Sequence, residues 1–310
     1  MNQPLSTGAE EYLSWLAVEK GRSRNTLSAY RRDITAWERW ARNAGVDPLD
    51  AGPDAVERYL AELRGGGRNP ASVARATTAL RGLYRFLVGE GVIAGDPTVD
   101  VRSPRLPRRL PKALEESQVL LLLDQVSGSE TIELRDRALL ELLYGTGARI
   151  SEVVGLSLID VQGDDGLLRV FGKGAKERLV PLGGPARFAL DRWLSASGRP
   201  RLAPARWARR SDSEAVFLNT RGGRLSRQGA WAIVSHRAEQ AGLGTVVSPH
   251  VLRHSCASHM LAHGADIRVV QELLGHVSIA TTQIYTKLSQ EHLRNAYEQA
   301  HPRAGGVRAR

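Results

Sequence analysis

Apolar positions recur at helical spacing through the first hundred residues. From Asn25 to Ala44, Leu27, Tyr30, Ile34, Trp37 and Ala41 form one stripe, the mark of an amphipathic helix. At about 100° per residue, Ser28, Arg32 and Arg39 fall on the opposite side. A shorter helix is predicted over 54–63. Over Pro70 to Gly89, an apolar arc (Val73, Ala76, Leu80, Leu83, Tyr84, Leu87) faces away from a basic stripe (Arg75, Thr78, Arg81, Arg85). This predicts an N-terminal domain of four helices over residues 1–103. The pattern breaks where Pro104, Pro107 and Pro111 alternate with Arg105, Arg108 and Arg109. Prolines at that spacing favour an extended path, so 104–112 is predicted to be a linker.

The C-terminal domain, 113–310, is predicted to be mainly helical with a small antiparallel sheet. Helices are expected over 115–125 and 132–144, with a short one after Gly145-Thr146-Gly147. Two β-prone runs, 167–171 and 178–182, flank a Gly-containing turn and predict a hairpin. Another short strand is expected over 215–219. Further helices are expected over 184–197, 226–241, 249–263, 266–274, 278–286 and 289–299. The loop 197–212 is Arg- and Pro-rich; it is expected to be exposed, with Trp207 packed in part. The fold class is therefore mainly α, with α+β character in the second domain.

Charge narrows the function. The 310 residues carry 43 basic and 33 acidic side chains, a formal charge of +10. Such a balance suits a polyanion such as nucleic acid. A composition that writes arginine often explains the same number, since only five basic residues are Lys. The basic faces carrying Arg32, Arg75, Arg81 and Arg85 fit either a DNA clamp or ordinary solvated helix surface. The single cysteine, Cys256, excludes an internal disulfide and a Cys-rich zinc site. No run approaches the roughly 18 apolar residues a membrane span needs, so a cytoplasmic location is expected.

Candidate chemistry gathers late in the chain, since all eight histidines follow residue 235. Ser248 and Pro249 are a good N-cap and first helical residue. His250 and Arg253 then share one face near that helix N-terminus, where an anion is favoured. A guanidinium offers planar paired donors, and an imidazole exchanges a proton near neutral pH. Arg149 follows the Gly-rich turn, with Glu152 three residues on to hold it. Lys173 and Lys176 sit at the hairpin tip in a chain that otherwise writes Arg. Lysine can release a proton and arginine cannot, which suits a general acid, although loop lysines are commonly just solvated. Gly275 predicts a helix end, with His276 next and Tyr285 nine residues further. A tyrosine there is more often core or surface than a nucleophile. His259 and His263 are spaced as a metal pair, but a third ligand and the His-Glu-x-x-His pattern are lacking, so no metal is expected.

Taken in order, Arg149, Lys173, His250-x-x-Arg253, His276 and Tyr285 resemble the catalytic set of the tyrosine recombinases, the phage-integrase family. The resemblance spans nearly the whole chain. Within the family it is nearest the bacterial Xer type, and nearer XerD than XerC, on the linker, Val-Gln-Glu-Leu-Leu-Gly-His and Ala-His-Pro-Arg-Ala. It implies a SAM-like core-binding domain followed by a catalytic domain. It implies Tyr285 as a nucleophile forming a 3′-phosphotyrosine, Arg149 and Arg253 on the nonbridging oxygens, and His276 as a further donor there. Lys173 would act as acid and His250 would assist proton removal, with Glu152 orienting Arg149 and no cofactor involved. Implied partners are double-stranded DNA with a specific recombination site, three further protomers and a DNA translocase of the division machinery. The tetramer would pair two paralogues two-plus-two, or be a homotetramer. The role implied is resolution of chromosome dimers at cell division. The C-terminal helix would dock on a neighbour, or equally on its own chain. A mobile-element recombinase, a type IB topoisomerase and a non-catalytic DNA-binding protein are the alternatives.

Overall fold

Four capped helices make the N-terminal unit: α1 (Thr7–Val18), α2 (Arg24–Asn43), α3 (Pro53–Gly65) and α4 (Pro70–Gly89). The computed structural model describes residues 4–101, 113–161, 166–172, 177–275 and 287–305. The predicted linker and the predicted helix 278–286 lie outside them. Each N-terminus starts where its cap dictates. Ser6, Ser23 and Asn69 side chains accept from Ala9, Thr26 and Ala71 backbone N–H groups, and Pro53 and Pro70 open their helices.

The apolar stripes of α2 and α4 meet as their spacing demands. Ile34, Trp37, Leu60, Leu80 and Tyr84 are essentially inaccessible. Trp37 Nε1 donates to the Tyr84 hydroxyl at 3.0 Å, which donates to the Pro48 carbonyl at 2.8 Å. Each large apolar side chain so buried contributes roughly 1.5–3 kcal/mol. Where α1 meets α4, the buried Tyr12 side chain lies directly against Gly82. A Cβ on Gly82 would lie 1.9 Å from the Tyr12 hydroxyl oxygen, so this crossing requires glycine.

Of the predicted basic faces, Arg75 is tied to Asp33 by paired bonds of 2.8 and 3.1 Å. Arg81 donates to the Val101 carbonyl. Arg32 and Arg85 are exposed.

The chain divides into two compact units, residues 1–109 and 110–310. The second contains α5 (Glu116–Asp124), α6 (Thr131–Gly145), α7 (Ile150–Gly155), β1 (Leu167–Phe171), β2 (Glu177–Pro181), α8 (Gly184–Leu194), α9 (Arg199–Leu202), α10 (Arg227–Gln240), α11 (Pro249–Ala262), α12 (Ile267–Leu274) and α13 (Lys287–Ala300). α6 is its axis. Every residue from Ala138 to Gly145 is buried, and α5, α7, α8, α10 and α11 pack around it. A helix enclosed this way must pair its charges. Asp136 is held by Arg135 and Arg237, and Glu141 by Arg137 and Arg303.

β1 and β2 form the predicted hairpin, antiparallel with Leu167 opposite Pro181 and Phe171 opposite Glu177. The strand expected over 215–219 is replaced by isolated bridges, Ala215 with Ser157 and Leu218 with Arg224. Val216, Phe217 and Leu218 are fully buried, and other groups satisfy their backbone. Arg199 Nε donates to the Ala215 carbonyl at 2.7 Å and Trp193 Nε1 to that of Val216 at 2.9 Å. With those carbonyls taken by side chains, no ladder forms. In the Arg-rich loop, Trp207 is half-buried under the Arg199 guanidinium.

α13 packs on its own chain, against α11, α12 and β2. Buried Tyr297 donates to the Gly145 carbonyl at 2.9 Å. At the start of the unit, Leu114 N–H donates to Ser255 Oγ at 2.9 Å. The Leu114 carbonyl lies 2.7 Å from His259 Nε2. That contact makes Nε2 the protonated nitrogen, so Nδ1 accepts from the Tyr144 hydroxyl at 2.8 Å.

Candidate active site

Three helix termini converge: the start of α7, the start of α11 and the end of α12. Arg149 is the N-cap of α7, and Glu152, three residues on, accepts its backbone N–H at 2.7 Å. The same carboxylate takes Arg149 Nη1 at 2.9 Å, so a capping interaction also aims the guanidinium. Arg253 lies one turn into α11, nearly buried. Its Nη1 donates to the Gly147 carbonyl at 2.6 Å and its Nη2 to that of Leu274. Arg149 Nη2 reaches the next carbonyl, Gly275, at 3.4 Å. The two guanidinium groups thus rest on consecutive carbonyls at the end of α12. Gly275 terminates that helix with φ +66°, the left-handed conformation glycine adopts without strain.

A third guanidinium completes the group. Arg178, on β2, donates from Nη1 and Nη2 to the two Glu152 oxygens at 2.7 and 2.8 Å. Its Nε reaches the Leu273 carbonyl at 3.3 Å. Two guanidinium groups, those of Arg149 and Arg178, therefore share one buried carboxylate, and Arg253 stands beside them on the carbonyls of Gly147 and Leu274. Burial alone would raise the Glu152 pKa, but the bonds from Arg178 and Arg149 outweigh it and hold the carboxyl below its ordinary value. Burial, then the charges of Arg149 and Arg178, depress Arg253 to about 10. It remains charged at neutral pH. Surplus positive charge held on a rigid frame is what a phosphodiester needs.

His250 is exposed in the first turn of α11, where Ser248 Oγ accepts from the Val251 N–H at 3.3 Å. Lys173, His276 and Tyr285 lie outside the described residues, as does Lys176. The segments leading to them are described: β1 ends at Phe171, β2 begins at Glu177, and Gly275 immediately precedes 276. The structure therefore brings Arg149, Glu152 and Arg253 together and sets His250 on the same helix as Arg253. The His259–His263 pair is otherwise engaged: both His259 nitrogens are bonded, and His263 Nδ1 faces the Ala300 carbonyl at 3.0 Å. Among the described residues no cluster of three or more His, Cys, Asp or Glu is arranged to hold a metal.

Arg178 is the residue that sequence reasoning passed over. One signal existed: it shares a strand face with Val180, and a charge on a buried face needs a partner.

Residues 112–292 match the model of the phage integrase family, and residues 9–91 that of the phage integrase N-terminal SAM-like domain. The chain belongs to the phage integrase family. This phage-integrase chain is 47% identical to tyrosine recombinase XerD of Corynebacterium glutamicum over 305 residues, covering 96% of this chain and 98% of the relative. It is 47% identical to XerD of Mycobacterium leprae over 312 residues, covering 97% and 98%. It is thus a XerD-type tyrosine recombinase, a site-specific recombinase that cleaves and rejoins DNA. A fragment of lambda integrase, solved as a dimer bound to a COC′ core site, shares the fold with a TM-score of 0.67. It is 21% identical and covers 91% of this chain and 98% of the other. The mainly helical architecture with a SAM-like N-terminal domain and a small sheet follows the same pattern.

Proposed function

We propose that Arg149, Lys173, His250, Arg253, His276 and Tyr285 form the active centre of this recombinase, with Tyr285 as the nucleophile. The Tyr285 oxygen attacks a DNA phosphorus and its proton passes toward His250. The phosphorus–5′-oxygen bond breaks, and Lys173 protonates the leaving oxygen. The products are a 3′-phosphotyrosine and a free 5′-hydroxyl. Bond energy is kept in the covalent link, so the exchange consumes no ATP. Arg149 and Arg253 take up charge developing on the nonbridging oxygens, and His276 adds a hydrogen bond there. The 5′-hydroxyl of a partner duplex then attacks the phosphotyrosine.

The observation carrying this reading is the pairing of Arg149 and Arg253 on consecutive carbonyls at the residue before 276, backed by Glu152. Each guanidinium has five N–H donors, so both retain donors for an anion.

At the cellular level the reading extends to resolution of chromosome dimers in the cytoplasm. Four protomers hold two duplexes, as two pairs of paralogues or as one kind, with a DNA translocase of the division machinery as activator. The N-terminal unit clasps the duplex with the faces that carry Arg32 and Arg85. Support comes from the XerD relatives and from the integrase dimer on its core site.

The test is a nicked suicide substrate bearing the recombination site. Wild-type protein is expected to accumulate a covalent adduct mapped to Tyr285, and Tyr285→Phe to bind the site equally but form none. An adduct that survives Tyr285→Phe refutes the assignment.

A further inference from the structure

We propose that Arg178 is a positioning residue for strand cleavage, because it neutralises Glu152 and so leaves the Arg149 charge available to the phosphate. This rests on the reading above, in which Arg149 holds the scissile phosphate.

Three observations converge on it. First, the Glu152 carboxylate is shared. One oxygen accepts from Arg149 Nη1 and Arg178 Nη1, and the other from the Arg149 backbone and Arg178 Nη2. Arg178 alone takes both oxygens with its side chain, in the paired geometry of the strongest guanidinium–carboxylate contacts. Second, the partners differ in exposure. The Arg178 side chain is 7% exposed and that of Arg149 39%. The buried member matches the buried carboxylate, and the exposed member is the one open to solvent. Third, Arg178 touches the chain leading to 276. Its Nε reaches the Leu273 carbonyl, and a Cβ on Gly275 would lie 3.1 Å from that Nε. The guanidinium is thus the floor on which the left-handed turn at Gly275 sits. One side chain on β2 is fixed to both the start of α7 and the end of α12.

The consequence for charge is direct. With Arg178 present, Glu152 is compensated from its buried side and Arg149 presents a full positive charge. Without Arg178, the carboxylate turns wholly on Arg149, cancels that charge and draws the guanidinium back along the helix. A cleavage step that neutralises phosphate oxygens with two arginines would then have only Arg253 at full strength.

The experiment compares single-turnover adduct formation by wild type, Arg178→Met, Arg178→Lys and the double variant Glu152→Gln/Arg178→Met. Each is tested on a normal suicide substrate and on one whose scissile phosphate is a methylphosphonate, which lacks the charge the arginines neutralise. Thermal melts and DNA affinity are measured alongside. Arg178→Met is expected to cleave the phosphodiester about 100-fold slower with affinity nearly unchanged. The deficit is expected to shrink on the methylphosphonate, and the double variant to regain most of the lost rate. Wild-type cleavage by Arg178→Met overturns the proposal. So does a deficit equal on both substrates with no recovery in the double variant, the mark of a purely structural role. Should Arg178→Met not fold, the other two variants decide. Arg178→Lys keeps the counter-charge and is expected within about 10-fold of wild type. A folded Arg178→Lys with an equal, larger deficit on both substrates overturns the proposal, as does a double variant no faster than it. Absence of any adduct from wild type would instead refute the catalytic reading, and so is distinguished from failure of this inference.

Discussion

Replacing Glu152 with Gln swaps one oxygen for an amide group where four N–H donors converge. Glutamine offers one acceptor oxygen in place of two, so two of the four donors lose their acceptor. Its amide N–H groups then point at other donors. The charge is lost as well, and Arg178 stays buried without its counter-ion. Removing one partner of a buried ion pair costs about 3–5 kcal/mol. For a unit of about 200 residues, each kcal/mol lowers Tm by about 2–4 °C, so the melt is expected to fall by about 6–20 °C at pH 7. The pH dependence has a definite sign. The folded carboxyl lies below its ordinary 4.5, so the unfolded chain takes up that proton more readily. The stabilisation is complete above about 4.5 and is lost as pH falls through the folded value. Urea titrations of wild type and Glu152→Gln from pH 7 to pH 3 should therefore converge on acidification. A difference below about 1 kcal/mol at pH 7, the size of an exposed pair, would refute the reasoning. A gap that widens toward acid would do the same.

Two further outcomes follow from packing. Gly82→Ala places a methyl on the Tyr12 hydroxyl and is expected to destabilise the N-terminal unit by about 1–3 kcal/mol in chemical denaturation. Tyr12→Phe in the same background should recover part of that loss, and an unchanged midpoint would show that the Tyr12 side chain does not bear on Gly82. His301 is buried, stacked on Tyr297, and accepts the Arg303 N–H at Nδ1; burial lowers its pKa from 6.5 to about 3. The unfolded chain binds that proton first, so stability should decline as pH drops below about 6.5 and continue to decline toward 3. His301→Gln should flatten this slope between pH 7 and 5 in thermal melts, and an unaltered slope would remove His301 as its source.

The helices were legible because their stripes are tertiary contacts written at a fixed period. The arc from Val73 to Leu87 is the buried face of α4, and the cap residues mark where backbone donors need a side chain. The strand expected over 215–219 shows what periodicity misses. A short apolar run says that a segment is buried, not whether a ladder or side chains such as Arg199 and Trp193 satisfy its backbone. The candidate site divides the same way. Arg149 with Glu152, and His250 with Arg253, are neighbours along single helices, so spacing reveals them. Arg178 meets Glu152 across 26 residues and Leu273 across 95, and carbonyls carry no residue signature. Such a contact is set by how α7, α12 and β2 pack.

Leu114 gives the second unit an anchored beginning. Its N–H and carbonyl are both held by α11, through Ser255 and through a histidine whose other nitrogen is fixed by Tyr144. Within the second unit this is a mooring. The backbone at Leu114 is thus tied by hydrogen bonds to the same rod that carries His250 and Arg253. Ser255 and His259 are the cleats, so the first described residues of the second unit and the helix of His250 and Arg253 hold their places together.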